Sequence, residues 1–470
     1  MNGASEASEA AFSSYVQKLV GVVGHADRAA PLRDYCVGLM MPVGRKSVEP
    51  LAAVTAPSRV SAKHQSLLHF VGQAPWSDAD LLSKVYELVR PGIERDQPIE
   101  AWIIDDTGFP KKGKHSVGVT RQYCGQIGKQ DNCQVAVSLS VANEKASLPI
   151  AYRLYLPESW ADDPERRAKA KIPDDVHFLT KPQIALEQVR AAHRAGVAPG
   201  IVLADAGYGV DGAFRAGVSG LGLRYVVGVQ PLLSVWRPGE GPLPPSPKQK
   251  GVRGPSATLL RRQPGHAPTS ARALALNLPP EAWQIVTWRE GANSNLSSRF
   301  AAVRLHPASR DFKRTEPHPE EWLLIEWPES DDEPLKYWLS TLAGDTPLME
   351  LVRTAKMRWR IERDYQELKQ ELGLGHYEGR GWRGFHHHAT LCIASYGFLI
   401  SRREAIPPSA PTSEAQRQKS PLPDSYRPRG SPDPARASRV KLDRDTATTS
   451  RRRSRTAPPA MSLLHQIDSK

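Results

Sequence analysis

The sequence predicts an α/β protein in which a mixed β-sheet is flanked by helices. Two observations carry this prediction. From about residue 99, three segments rich in Val, Ile, Leu and Tyr are separated by turn residues, which is the pattern of successive strands. Up to residue 229 the chain then alternates between helical and strand patterns. Strands followed by such an alternation indicate a mixed sheet with helices on its faces.

Residues 1–97 are predicted to form an N-terminal helical domain. Between residues 11 and 95, four segments place apolar residues at helical spacing, and Ser77 is positioned to cap the last of them. A small basic patch, Arg45 and Lys46, is interpreted either as a DNA contact or as a solvated loop. Because helices of this kind commonly read DNA sequence, the segment is a candidate DNA-binding domain.

The rest of the chain divides into four predicted segments. Residues 98–229 hold the first part of the core. Residues 230–335 start with a stretch dense in Pro and Gly and continue with three alternating segments, which predicts a β-rich insertion. The core resumes over residues 336–402 with a long amphipathic helix. Residues 403–470 carry ten prolines and a run of three arginines, and they are predicted to form a disordered basic tail.

The charge balance restricts the partners. The 470 residues include 63 Lys and Arg against 50 Asp and Glu, a net charge of +13. This excess favours a polyanion, either nucleic acid or an acidic membrane surface. No apolar run reaches the roughly 18 residues that a membrane span requires, and no secretory signal is visible. A cytoplasmic protein without a membrane partner is therefore expected.

Two acidic positions follow apolar strand patterns. Asp105 and Asp106 end the run at residues 101–104, and Asp205 ends the run at residues 201–204. In open α/β sheets, binding sites form outside the carboxyl ends of the strands. The alternative is that each aspartate merely starts a turn or caps a helix. Side-chain alternation does not choose between Asp105 and Asp106, because a central strand is apolar on both faces.

A third candidate lies on the helix written "RWRIERDYQELKQELGLG". Arg358, Glu362 and Lys369 fall on one side of this helix, next to its apolar stripe. Glu367 lies about 140° further round the helix, at roughly 100° per residue, and is not expected to share their site. The alternative interpretation is an amphipathic helix with a simple Arg358–Glu362 ion pair.

Two strand-end aspartates and a helical glutamate match the ligands of a two-metal phosphoryl-transfer site. Two Mg²⁺ ions roughly 3.5–4 Å apart clamp the attacking and leaving oxygens of the displacement, and carboxylates are the ligands that Mg²⁺ prefers. Mn²⁺ can substitute at such ligands. Candidate cations for the phosphates of the substrate are Lys111, Lys112, Lys114, Arg121, Arg358 and Lys369.

Three motifs in this order resemble those of bacterial insertion-sequence transposases of the DDE superfamily. They are "IIDDTG", "VLADAGYG" and the helix with its Arg-x3-Glu-x6-Lys spacing, supported by the phrases "DDTGFPKKGKHSVGV" and "GRGWRGFHHHATL". The resemblance covers about residues 15–400. It implies a ribonuclease-H-like core interrupted by a β-rich insertion. It also implies Mg²⁺-dependent cleavage at transposon ends and strand transfer, by a dimer or larger multimer assembled on DNA.

The resemblance assigns roles to individual residues. Asp105, Asp205 and Glu362 become the metal ligands, and the Asp-x-Thr pattern selects Asp105 over Asp106. Arg358 and Lys369 become phosphate contacts near the cut. The fuller signature has a tyrosine where this chain has Ala355, which affects a phosphate contact and leaves the metal ligands in place.

Other features have two interpretations. Trp283 and Trp288 in the insertion either stack on an unpaired base or pack in the core. His386, His387 and His388 are not expected to share a metal, because adjacent residues on a helix point in different directions. The functional alternatives are a nuclease that does not transfer strands and a decayed or domesticated transposase that only binds DNA.

Overall fold

The computed structural model describes residues 2–248, 255–290 and 295–403, so the predicted tail lies outside the described residues except for Arg403. The helices are α1 (Asn2–Val20), α2 (Ala29–Met40), α3 (Val48–Thr55), α4 (Val60–Gly72), α5 (Asp78–Ile93), α6 (Glu158–Ala161), α7 (Pro164–Ala170), α8 (Lys181–Arg194), α9 (Ala206–Gly209), α10 (Gly212–Gly220), α11 (Ala271–Leu276), α12 (Leu348–Lys356), α13 (Trp359–Gln370) and α14 (Trp382–Arg403).

The strands are β1 (Ala101–Pro110), β2 (Thr120–Cys124), β3 (Lys129–Ala142), β4 (Ser147–Leu154), β5 (Ile201–Ala204), β6 (Tyr225–Val229), β7 (Ser234–Val235), β8 (Thr269–Ser270), β9 (Gln284–Glu290), β10 (Asn295–Leu305), β11 (Glu321–Trp327) and β12 (Lys336–Ser340). Within the described ranges, all of them except β7 and β8 belong to one large sheet.

This sheet is mixed. Its order is β2-β3-β1-β5-β6-β12-β11-β10-β9, and β4 pairs with β3 on the edge that β2 also uses. The pairs β1–β5 and β5–β6 are parallel, and the other pairs are antiparallel. Helices α8 and α10 connect the parallel strands, which is why those strands are apolar on both faces. The predicted mixed sheet flanked by helices is confirmed, and its likeness to ribonuclease H stays a prediction.

Strand β1 is longer than the sequence predicted. The sequence pattern predicted that this strand ends at Asp105 and Asp106, but this is wrong. The strand continues to Pro110 because it pairs with β3 over its whole length, from Ala101–Ala142 to Pro110–Cys133. On its other side, β5 pairs only with residues 101–103 of β1 and ends at Ala204. Asp105 therefore lies where β1 continues past the end of its parallel neighbour.

The insertion extends the core sheet. Strands β9, β10 and β11 match the three alternating segments of the sequence, and β11 pairs with β12, which in turn pairs with β6. The chain then enters α12 and α13 directly from β12. The predicted domain boundaries remain predictions. Within the described residues, no helix has the length and apolar content needed to cross a bilayer.

Helix α14 joins the N-terminal helices to the sheet. It packs against α2, α4 and α5 on one side and against β4 on the other. Its three histidines are buried, and each bonds to a different part of the chain. His386 contacts the Leu154 amide and the Trp382 carbonyl, His387 contacts the Val71 and Trp76 carbonyls, and His388 contacts the Tyr35 hydroxyl and the Gly373 carbonyl.

The basic patch of the N-terminal region is not what the sequence suggested. The Lys46 side chain is buried, and its ammonium group donates hydrogen bonds to the carbonyls of Leu39 and Met41. Burial lowers the pKa of Lys46 below its ordinary value. Arg45 is exposed and pairs with Glu378. Lys46 thus stabilises the chain after α2 and is not placed to contact DNA.

Candidate active site

The three predicted acids are positioned by three different elements. Asp105 lies in the middle of β1, and its side chain is 15% exposed. Asp205 follows β5 and caps α9, with its carboxylate accepting a hydrogen bond of 2.8 Å from the Gly207 amide. Glu362 is exposed in the first turn of α13. The edge where β5 ends is therefore occupied by carboxylates from two strands and a helix.

Arg358 connects these acids. It stands at the junction of α12 and α13, where its Nη1 lies 3.0 Å from Asp105 Oδ2 and its Nη2 lies 2.8 Å from Glu362 Oε1. Asp205 is close enough to contribute to the electrostatics of both Arg358 and Asp105. The Arg358–Glu362 ion pair expected in the alternative interpretation is present, but the same guanidinium also reaches β1.

The charge at this edge is incompletely balanced. The pKa of Asp105 is raised to about 7, chiefly by burial and also by the nearby Asp205 and Asp106, against the attraction of Arg358. The carboxyl group of Asp105 therefore holds its proton up to about neutral pH. A bound cation would stabilise the charged form of a buried carboxyl group that lies among other acids.

Asp106 is directed to other partners. Its carboxylate accepts hydrogen bonds from Lys181 at 2.9 Å and from the Tyr208 hydroxyl at 3.2 Å. Lys181 begins α8 and Tyr208 belongs to α9, so Asp106 ties β1 to the two helices that flank Asp205. This agrees with the choice of Asp105 as the candidate ligand and gives Asp106 a supporting position.

Lys369 lies further along α13 and is largely buried. Its ammonium group donates to the Gly108 carbonyl at 3.0 Å and to Gln126 at 3.2 Å, and it lies 5.0 Å from the centre of the Phe109 ring. Burial lowers the pKa of Lys369 to about 8. In this arrangement Lys369 joins the Glu362 helix to the far end of β1.

The basic loop after β1 contains two kinds of lysine. Lys111 is half-buried and donates to the Tyr377 carbonyl at 2.9 Å, and burial lowers its pKa. Lys112, Lys114 and Arg121 are exposed, and none of them forms an ion pair with the residues that the structure describes. The exposed cations are thus the ones free to meet an anionic ligand.

Comparison with known proteins identifies the family of this chain. A family model described as "DDE superfamily endonuclease" matches residues 18–295, which is more than half of the chain. The chain belongs to the DDE superfamily of endonucleases. The matched residues include Asp105 and Asp205, whereas Glu362 lies beyond them and pairs with Arg358, which also pairs with Asp105.

One curated relative gives a second comparison. The chain is 30% identical over 195 residues to a protein of Microchaete diplosiphon named "Probable transposase for insertion sequence element IS701". The match covers 41% of this chain and 47% of the relative. The chain therefore spans about half the length of the relative it matches.

The potential metal ligands of this DDE-superfamily chain do not form a closed site among the described residues. Within the described ranges, no three potential ligand side chains converge closely enough to hold a metal ion. The guanidinium of Arg358 lies between Asp105 and Glu362 and pairs with both. The donor set itself fits Mg²⁺, because all three side chains are carboxylates.

A cleft at helices α12 and α13 was not predicted from the sequence. A cavity of about 270 Å³ is lined by Trp288, Met357, Trp359 and the charged side chains of α12 and α13. Trp288 is half-buried, with Lys356 Nζ 4.1 Å from its ring centre and Phe300 packed edge-on at 5.6 Å. The alternation of aromatic and basic residues in "KMRWR" was the available signal for this cleft.

Proposed function

We propose that this chain is a transposase of a bacterial insertion sequence. It would hydrolyse phosphodiester bonds at the ends of the element and transfer the freed 3′-OH to target DNA. The observation that carries the proposal is that one guanidinium near the end of β5 pairs with Asp105 and Glu362, from distant parts of the chain, and lies close enough to Asp205 to be affected by its charge. The membership in the DDE superfamily and the name of the curated relative support the same reaction.

In this proposal Asp105, Asp205 and Glu362 hold the divalent cation, Mg²⁺ or Mn²⁺, with two ions in the complete site. The bound ions supply a nucleophilic oxygen and stabilise the negative charge that develops on the phosphate. The elevated pKa of Asp105, caused first by burial and then by the nearby Asp205 and Asp106, supports this role, because a bound cation would favour the charged form of the carboxyl group. Binding of the metal ions requires the Arg358 guanidinium to leave the carboxylates of Asp105 and Glu362.

The cations of the site then have separate tasks. Arg358, once released from the acids, binds a phosphate of the DNA near the cut, for which its planar guanidinium is suited. Lys112, Lys114 and Arg121 make the first contacts with the DNA backbone because they are exposed. Lys369 and Lys111 hold the end of β1 in place and reach the DNA only at close approach.

Trp288 stacks on an unpaired base when Lys356 moves aside. The chain acts as a dimer or larger multimer on DNA, in the cytoplasm.

A nicking assay with DNA that carries the terminal repeats of the element tests the proposal. Wild-type protein with Mg²⁺ is expected to nick at the repeat ends, whereas Asp205→Asn and Glu362→Gln proteins are not. Glu367→Gln is the matched control, because Glu367 lies on the same helix but pairs with Arg363 and Arg403. Absence of nicking by the wild type, or equal nicking by all four proteins, would contradict the proposal. Joined products distinguish a transposase from a nuclease that does not transfer strands.

A further inference from the structure

A short turn in the insertion, residues 310–314, exposes a set of groups that the proposed active site does not use. Arg310, Lys313 and Arg314 are exposed, and the ring of Phe312 is 46% exposed. In the part of the chain that the structure describes, none of these three cations pairs with a carboxylate. We refer to residues 310–314 as the basic turn.

One buried acid, Asp311, holds the basic turn against the rest of the insertion. Asp311 is fully buried, and its carboxylate accepts hydrogen bonds from Trp236 Nε1 at 2.7 Å and from Arg262 Nε at 3.0 Å. Arg262 also lies 5.3 Å from the centre of the Phe312 ring. A buried carboxylate with its donors satisfied fixes the backbone firmly, because breaking the pair would leave an unpaired charge in the interior. The neighbours of Asp311 are therefore held outward in one arrangement.

The backbone of the basic turn is also strained. Arg310 has φ 53° and ψ 26°, and among the described residues only Lys171 shares such a left-handed conformation without being glycine. A side chain with a Cβ is disfavoured there, and such strain persists where the surroundings enforce it. Glycine would relieve the strain at this position, yet the chain carries an exposed arginine. This indicates that the cation itself is of use.

The basic turn lies away from the catalytic acids. The turn follows the end of β10, which pairs with the start of β11. Through β11 and β12, this is the end of the sheet at which β6 begins. The acids lie instead beyond the end of β5. From β5 to β10 the sheet passes through four strand spacings, roughly 20 Å at about 4.8 Å each. A ligand bound at the basic turn would not occupy the active site.

We propose that the basic turn binds the phosphate backbone of duplex DNA outside the scissile region. The inference rests on the proposed function, which supplies DNA as the ligand. Unpaired cations beside an exposed aromatic ring match a polyphosphate backbone, and contacts of this kind position a protein on DNA without reading its sequence. The surface would thus extend the DNA-contacting area beyond the cut site.

Salt-dependent binding tests this proposal. Affinity for a duplex of about 40 base pairs would be measured by fluorescence anisotropy, in EDTA, between 50 and 200 mM KCl. Each phosphate contact contributes about 0.9 to the slope of log K against log salt. The double variant Arg310→Gly, Lys313→Gln is therefore expected to reduce the slope by about 1.8 and to weaken binding roughly tenfold or more at 0.1 M salt. Its melting temperature should be unchanged or higher, since glycine relieves the strain.

The matched control removes two exposed arginines of α8, in the variant Arg190→Gln, Arg194→Gln. This control should keep the wild-type slope. Two results overturn the proposal: an unchanged slope in the double variant, or the same loss of slope in both variants. An unchanged slope would leave an acidic protein as the partner of the basic turn. A lower melting temperature for Arg310→Gly overturns the strain argument. Because binding is measured without metal, these results stand apart from any failure of nicking.

Discussion

The two clusters of ligand-type side chains in this molecule contrast sharply. His386, His387 and His388 are adjacent in sequence and resemble a metal site, yet their ring nitrogens bond to separate carbonyls, an amide and a hydroxyl. Asp105, Asp205 and Glu362 are scattered along the chain, yet they meet around Arg358. Proximity in sequence is therefore a poor guide to a shared site, whereas unsatisfied charge is a good one.

The pKa directions express the same contrast. Burial lowers the pKa of His387 and of His388 to about 4, so both rings stay neutral at neutral pH. The neutral ring of His388 accepts from the Tyr35 hydroxyl and donates to the Gly373 carbonyl, whereas the neutral ring of His387 has one N–H for its two carbonyls. The pKa of Asp105 rises to about 7, with neighbouring acids adding to the effect of burial. The histidines are thus held as neutral, buried groups, whereas the three acids share the single positive charge of Arg358. We expect substitutions in the two clusters to separate stability from activity.

The largest expected effect is on catalysis. Asp205→Asn and Glu362→Gln should reduce nicking by 10³-fold or more, which is about 4 kcal/mol in the barrier. Their free energy of unfolding should be unchanged or slightly higher, because each change removes negative charge from a crowded edge. Urea unfolding and single-turnover nicking on the same samples provide the measurement. A large loss of stability in either variant would place these acids in the same class as the histidines.

The reverse pattern is expected for the histidines. His387→Ala removes a ring that stacks on Trp76 at 3.5 Å and donates a hydrogen bond to a backbone carbonyl, and it should cost about 3 kcal/mol of stability. Nicking per folded molecule should be unchanged. Nicking would be measured at a temperature where unfolding shows the variant to be folded. Loss of nicking in a fully folded His387→Ala protein would contradict the structural role.

The pH dependence of stability sharpens the contrast further. The pKa of His388 is lower in the folded protein, about 4, than its ordinary 6.5, so its contribution is fully present above pH 6.5 and is lost as pH falls towards 4. The loss should approach about 3 kcal/mol at pH 4. Asp105 and Asp364 have raised pKa values, about 7 and about 6, and change stability in the opposite sense.

The informative quantity is thus the difference between wild type and His388→Gln, measured by urea unfolding from pH 7.5 to 4.5. The variant should be less stable at pH 7.5, and its deficit should shrink as the pH falls. A deficit that stays constant over this range would show that His388 does not titrate as its burial requires.

The smallest effect concerns Arg358. Replacing it with Gln removes the cation that holds Asp105 and Glu362, so Mn²⁺ should bind the DNA-free protein roughly tenfold more tightly, about 1.4 kcal/mol. Titration of Mn²⁺ followed by electron paramagnetic resonance measures this without any catalysis. Arg363→Gln, on the same helix but paired with Glu367, is the control. Weaker Mn²⁺ binding by Arg358→Gln would show that the guanidinium supports metal binding instead of competing with it.

Much of the architecture could be predicted because it depends on local patterns. The insertion strands alternate clearly, and the apolar stripe around Ile361 and Tyr365 defines α13. The extension of β1 past Asp105 could not be predicted in this way, because it depends on pairing with β3. Strand β2 is short and mostly polar, so it gave no strand signal of its own.

The site was predictable to a similar degree. The order of the acidic motifs pointed to Asp105, Asp205 and Glu362, but no pattern indicated that Arg358 would bridge two of them across β1 and α13. The burial of Lys46 and Lys369 was also hidden, because a lysine stem can be buried wherever carbonyl groups receive its ammonium. Which lysines remain exposed is a property of tertiary packing.

The continuation of the core sheet into the insertion has a consequence for how the protein is made. Helix α13 follows β12, so Glu362 and Arg358 leave the ribosome only after every strand of the insertion, and 253 positions separate Arg358 from Asp105. At 5–20 residues per second, a nascent chain would carry Asp105 and Asp205 for roughly ten to thirty seconds before Glu362 is synthesised. Unfinished chains would therefore contain the basic loop after β1 without a complete set of acids. Under the proposed function, this order of synthesis delays the cutting of DNA until the sheet is complete.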